Sequence, residues 1–303
     1  MKKFTKVCLI IAAVAAVCGI AFCCVSMAIG GSFAEVSEKL EEEGIQDKFE
    51  NWIWSGVQYT EQLEGGKETS TDIVKMEEIT AIHVKADIAD IKFVKADNAE
   101  NVKVTMKKGY MKHYSCKTNG KTLEIKYDTN HNNYMSGPEI IVEVPDGIEL
   151  LTMEVDTALG DIKMEEFTLN ADKVDVYSNL GDVKFTNMTI LGPIYAGTDL
   201  GEVKFSGGKY GKMHLNNSLG DITITGEVTG NVEADCSMGD VKVELSGGET
   251  DYNYNLNTSM GDVEINDADY SKDMSGEAKI NHEGATITLT LSSAMGDVKV
   301  TTK

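Results

Sequence analysis

Seven carboxylates in this chain share one local setting. Asp161, Asp182, Glu202, Asp221, Asp240, Asp262 and Asp297 each follow a glycine, namely Gly160, Gly181, Gly201, Gly220, Gly239, Gly261 and Gly296. Leu or Met precedes each glycine, and Ile or Val follows each acid. Carboxylates at regular spacing can gather around calcium, work as a pair on a glycosidic bond, or accept backbone N–H groups at a turn. Stacked at about 4.8 Å, neighbouring unit charges repel by about 0.9 kcal/mol in water and by more at lower effective dielectric. Something must offset this repulsion. Calcium is one candidate, but the known calcium-binding β-roll repeat has nine residues and the pattern G-G-x-G-x-D; this chain has neither. Lys163, Lys184, Lys204, Lys242 and Lys299 stand two residues after their acids, hence on the same side of a strand. Such an interleaved column neutralises itself. Thr223 and Glu264 interrupt the Lys row, which leaves cation binding near Asp221 and Asp262 as an open alternative; no metal is assigned. The glycines read as backbone corners that need positive φ.

Other chemistry is sparse. His83, His113, His131, His214 and His282 are scattered without zinc spacing. No nucleophile elbow or phosphate-cradling loop is present. The acids follow the repeat, whereas a catalytic pair would break it at one coil. No catalytic residue, cofactor or small-molecule substrate is therefore assigned. All 28 basic residues are Lys, and the formal net charge is -21. Without the bidentate Arg fork, and with that charge, a nucleic-acid role is excluded.

The elements that must position these acids follow from the spacing. The glycines are 21, 20, 19, 19, 22 and 35 residues apart, and a period near 20 marks stacked units. Inside each unit, apolar and polar residues alternate, as in Asp182-Val183-Lys184-Phe185, which predicts strands. Twenty residues leave no room for a crossover helix. The expected fold is an all-β parallel solenoid, or β-helix, of about eight coils over residues 72–303. Ala89-Asp90-Ile91 reads as a degenerate copy. Residues 107–137 interrupt the pattern, and Lys107, Lys108, Tyr110, Lys112 and Tyr114 there form a candidate interaction loop.

Residues 7–29 carry no charge and at about 1.5 Å per residue suffice to span a bilayer core of about 30 Å. Lys2, Lys3 and Lys6 precede this segment and an acidic run follows it, which places residues 1–6 in the cytoplasm and the rest outside. A cleaved signal peptide is the competing reading, with Ser26-Met27-Ala28 as its site. Residues 30–71 read as an acidic juxtamembrane segment, with helical spacing at Val36, Leu40 and Ile45, followed by a linker. Of six Cys, only Cys116 and Cys236 lie beyond the apolar segment, which is no disulfide framework.

The run Ile141-Val142-Glu143-Val144-Pro145-Asp146-Gly147, then Leu151-Thr152-Met153-Glu154-Val155, then the Gly-Asp-Ile/Val repeats, resembles the "putative adhesin" domain of LiaG-like bacterial envelope proteins, many from Firmicutes. The likeness covers about residues 75–302. It implies a β-solenoid on the outer membrane face and carries no catalytic residues. The expected function is a non-enzymatic, membrane-anchored adhesion, interaction or envelope-sensing module, with a protein or cell-wall macromolecule as partner. A calcium-binding solenoid and a carbohydrate-active β-helix enzyme are the alternatives.

Overall fold

A computed structural model describes residues 68–97, 100–129, 137–272 and 274–303. The expected membrane helix at 7–29, the helical spacing in residues 30–71 and His131 lie outside these residues. Among the described residues no helix is long and apolar enough to cross a membrane, and helix is confined to three-residue 3₁₀ turns.

The repeat makes two faces of parallel strands joined at the glycine corners. The first face contains, in spatial order, Thr122–Tyr127, Ala81–Ile88, Ile148–Leu159, Thr168–Leu180, Ile194–Leu200, Met213–Leu219, Val232–Met238, Ile287–Met295 and Tyr252–Thr258. The second contains Glu139–Val144, Asp90–Lys95, Ile162–Glu165, Val183–Ile190, Val203–Tyr210, Ile222–Val228, Val241–Leu245, Val298–Thr302 and Val263–Ile265. The alternation predicted inside each repeat is observed. In Val183–Ile190, Val183 and Phe185 are buried while Lys184 is partly exposed. Phe185 stacks on Phe205 of the next coil with centroids 4.3 Å apart and planes 5° apart. Each such buried Val, Ile or Phe contributes about 1.5–3 kcal/mol relative to exposure.

Spatial order departs from chain order at both ends. The strands of the first copy, Ala81–Ile88 and Asp90–Lys95, lie between the pair Thr122–Tyr127/Glu139–Val144 and the Gly160 coil. The last copy, around Gly296, lies between the coils of Gly239 and Gly261. Asp297, not Asp262, is therefore the neighbour of Asp240, which corrects the column inferred from sequence order. The 35-residue gap is the chain building the end coil and returning inside it. Residues 107–129 are likewise less loop-like than expected: Tyr114–Asn119 and Thr122–Tyr127 form an antiparallel hairpin that finishes the other end. The strand Glu68–Lys75 pairs antiparallel with Asn101–Gly109, so strand structure begins four residues inside the expected linker.

The corner glycines carry φ from 127° to 156° at Gly220, Gly239, Gly296, Gly181 and Gly201. A Cβ on Gly220 would stand 2.0 Å from the Gly201 carbonyl oxygen. Both conformation and space thus require glycine there. Gly220→Val is expected to cost on the order of 1–3 kcal/mol or more in chemical denaturation. An unchanged midpoint would show that the coils do not meet at this point.

Candidate functional site

Four columns of side chains run along the glycine corner, one residue per coil. The innermost stands three residues before each glycine. Ser178 Oγ donates to the Gly160 carbonyl at 2.9 Å, Thr198 Oγ1 to Gly181 at 2.9 Å, and Asn217 Nδ2 to Gly201 at 2.9 Å. Ser293 Oγ reaches Gly239 at 2.9 Å and Thr258 Oγ1 reaches Gly296 at 2.8 Å. Cys236 takes the same place, its Sγ 3.2 Å from the Gly220 carbonyl. Burial, then Asp221, pushes its thiol pKa up to about 11. This is a buried donor column, not a row of nucleophiles. Asn217 is its misfit: Oδ1 is buried and has no partner.

The second column is the carboxylates. Oδ1 of Asp90, Asp161, Asp182, Asp221, Asp240 and Asp297 accepts the N–H of Asp161, Asp182, Glu202, Asp240, Asp297 and Asp262 respectively, at 2.9–3.1 Å. Each of these six aspartates thus satisfies the backbone of the next coil. The third column is Lys. Lys163, Lys184 and Lys242 pair with Asp161, Asp182 and Asp240 at 3.0, 2.8 and 2.8 Å, and Lys184 also reaches Glu202 of the next coil at 3.2 Å. Lys299 departs from the pattern, turning to Glu264 and to Asp267 at 3.8 Å. Lys242, then the Asp297 N–H, holds the Asp240 carboxyl below its ordinary value. Such half-exposed pairs are worth roughly 0–1 kcal/mol each. Among the described residues no group of three or more His, Cys, Asp or Glu is placed to hold a metal.

The fourth column is apolar and faces solvent. Leu180, Leu200, Leu219, Met238, Met295 and Met260 are 39–48% exposed. Leu180 pairs with Leu200, Leu200 with Leu219, Leu219 with Met238, and Met238 with Met295. Strict alternation would point these residues inward. It fails because, from Gly181 onward, two successive residues before each corner glycine are exposed, as at Asn179-Leu180. The sequence carried the signal in the Leu/Met that opens every phrase, but not its direction. The buried donor column was missed for another reason: Thr, Ser, Asn and Cys share only small size and a donor.

Beside the ridge, the outer surface of the first face holds a polar trough of about 410 Å³. Tyr177 stands in its wall, its Oη donating to Asp199 Oδ1 at 2.6 Å. Burial, then Asp199, pushes the phenol pKa up to about 12. Further along the face, Tyr195 stacks on His214 at 5.0 Å, and His214 Nδ1 lies 2.8 Å from Glu233.

The five residues of the expected interaction loop sit in and beside the end hairpin. Lys107 lies 3.6 Å from Glu139, and the Tyr110 N–H donates to Tyr127 Oη at 3.2 Å. Tyr114 Oη donates to Asp72 at 2.8 Å. Lys108 and Lys112 are exposed. Buried His113, between the rings of Tyr110 and Tyr127, donates from Nδ1 to the Asp128 carbonyl at 2.6 Å.

Two measurements test these columns. A hydroxyl is a stronger donor than a thiol, so Cys236→Ser should match or exceed the parent in stability, while Cys236→Val loses about 1 kcal/mol. A Val variant more stable than the Ser variant would mean that hydrogen bonding does not set the column. The depressed Asp240 carboxyl adds stability above its ordinary range near about pH 4, lost as pH falls through the lower folded value. The melting temperature should therefore drop in acid, and Asp240→Asn should flatten that drop. Identical pH profiles would remove the Asp240–Lys242 pair from the account.

No curated protein matches the chain. Among solved structures, a "putative adhesin" from Bacteroides fragilis is 14% identical, covering 78% of this chain and 98% of its own, with a TM-score of 0.44. A "putative cell adhesion protein" from Clostridium sporogenes is 12% identical over 78% of this chain and 100% of its own, with a TM-score of 0.37. A "putative lipid binding protein" from Parabacteroides distasonis is 15% identical over 79% and 97%, with a TM-score of 0.30. The model of the Toastrack DUF4097 family matches residues 79–303, and the chain belongs to that family.

Proposed function

We infer that this protein is a non-enzymatic interaction module, held outside the cell membrane by its N-terminal apolar segment and presenting the solenoid to an extended macromolecular partner. One observation carries the reading: the exposed Leu/Met ridge repeats over six coils, at Leu180, Leu200, Leu219, Met238, Met295 and Met260. Exposed apolar residues in a continuous row mark contact surfaces. Reaction centres instead require one coil that differs from its neighbours. The carboxylates fit this reading, because their lone pairs are engaged by N–H groups and Lys rather than directed at a bond to be cleaved. A repeated straight face suits partners that are themselves extended. Beyond the apolar segment the charge is -24, from 25 Lys against 49 acids, which repels anionic polymers and admits cationic or neutral ones. The end hairpin, with Lys108 and Lys112 exposed, is a second contact region on the same module.

The test uses the full chain in its membrane with a photo-crosslinking residue at Leu200, Met238 or, on the second face, Glu244. Crosslinks to a macromolecule are expected from the two ridge positions and not from Glu244. Equal labelling at all three would remove the ridge as the contact surface. Cleavage of any cell-wall glycan by the purified chain would overturn the non-enzymatic assignment, and a topology reporter that places residue 303 in the cytoplasm would overturn the anchoring.

A further inference from the structure

The trough on the first face is lined from below by the donor column of Thr198, Asn217, Cys236 and Ser293, which the corner requires, and along its sides by residues that the fold does not require. Its two rails are the exposed positions four and two residues before the glycines. At the N-terminal coils these positions hold charged residues such as Lys85, Asp87 and Asp156. Over the last four coils they change. One rail becomes Asn216, Asp235, Ser292 and Asn257, and the other Ser218, Ser237, Ala294 and Ser259. These side chains point to solvent, so core packing did not select them, and Asn is a poor strand former. In a chain with 49 acids, one carboxylate in the lining is a local departure. That carboxylate, Asp235, already accepts the Ser292 hydroxyl.

An aromatic wall closes one end. Tyr177 is pinned by its bond to Asp199, and its ring lies across the next coil at Gly197, where a Cβ would stand 2.9 Å from Tyr177 Cε2 and 2.8 Å from the Asn216 carbonyl. Gly197 therefore makes room for the Tyr177 ring against the backbone. The trough floor offers no strand edge, because its backbone is paired on both sides in the parallel ladder. Recognition there must come from hydroxyls, amides and the face of one ring. A peptide adding as a strand would need free backbone groups, and a cationic partner would find a single carboxylate, Asp235, with one of its oxygens already taken by Ser292. Short neutral donors and acceptors repeating at about 4.8 Å, next to a fixed aromatic face, match a chain of sugar rings, each with a rim of hydroxyls and an apolar face. The volume of about 410 Å³ falls in the range of ligand sites.

We propose that this trough binds a neutral polysaccharide, with Tyr177 stacking against one sugar ring and the Asn216–Asn257 and Ser218–Ser259 rails bonding its hydroxyls. The proposal rests on the interaction-module reading and specifies its partner. It is tested on the full chain in detergent, titrated calorimetrically with cellohexaose and chitohexaose, and with an oligogalacturonate as the anionic control. Saturable binding of at least one neutral sugar is expected, with none for the anionic one. Tyr177→Ala should weaken binding about tenfold, the loss of about 1.4 kcal/mol. Ser237→Phe, an exposed substitution that fills the trough, should abolish binding without changing the melting temperature. Failure of both neutral sugars to bind overturns the proposal, as does unchanged affinity in Ser237→Phe or preference for the anionic sugar. If the sugars fail while the ridge crosslinks persist, the glycan is wrong and the interaction module stands. If a protein is captured instead and Ser237→Phe blocks it, the trough is a protein site and the proposal falls.

Discussion

The solenoid depends on one close contact. At each corner the carbonyl of one glycine occupies the space where the next would carry its Cβ, at 2.0–2.2 Å for Gly220, Gly201, Gly181, Gly296 and Gly239. That contact fixes coil spacing and register at the same point in every repeat. The carbonyl is then reached from inside by the Ser, Thr, Asn or Cys three residues before the next corner. The adjoining N–H is satisfied from outside by the carboxylate of the preceding coil. A buried backbone group left without a partner is costly, and here both partners stand within three residues of a corner glycine. Once register is fixed, the apolar columns stack like on like, Val183 beside Val203 and Phe185 beside Phe205.

Much of this was legible in the sequence because the constraint is local. Gly at the corner, an acid after it and Lys two residues on are each specified by one residue type. The donor column was not legible, since four residue types fill one role. The outward turn of Leu180 and its equivalents was hidden because a break in alternation is a backbone event with no residue signature of its own. The end topology was invisible for a third reason. The choice to place the Gly296 coil inside the Gly261 coil is made by long-range pairing of Ile287–Met295 with Val232–Met238, and the spacing showed only a long gap. The Lys-rich stretch at 107–137 misled similarly: its exposed cations suggested a loop, while Leu123, Ile125 and Tyr127 were building a buried strand edge.

Charge is distributed so that the corner neutralises itself while the rest of the surface stays acidic. Lys184 between Asp182 and Glu202 offsets the repulsion that stacking like charges creates. This frees the adjacent columns from any electrostatic duty. The apolar ridge and the exposed rails of the trough, with Asp235 their one carboxylate, lie on the N-terminal side of the Asp/Lys band, and neither contributes to the core. Residues that neither pack nor pair are where a repetitive fold can vary at little cost in stability, and they are where this chain departs most from its own repeat.

The ends of the stack bear on which surfaces a partner can reach. An open parallel stack exposes unpaired strand edges that invite growth by addition of another copy. Here antiparallel strands cover them. On the first face the covers are Tyr114–Asn119 at one end and Ser275–Ile280 at the other. On the second face Asn101–Gly109, backed by Glu68–Lys75, covers one end, and the two-residue strand Ala268–Asp269 covers the other. Placing the first and last copies of the repeat one layer in from the ends is what lets the chain supply these covers. These outer strands become the edges themselves, but they do not continue the parallel repeat, and Ala268–Asp269 is only two residues long. Both features disfavour growth by another copy, and the ridge and the trough lie side by side along the corner.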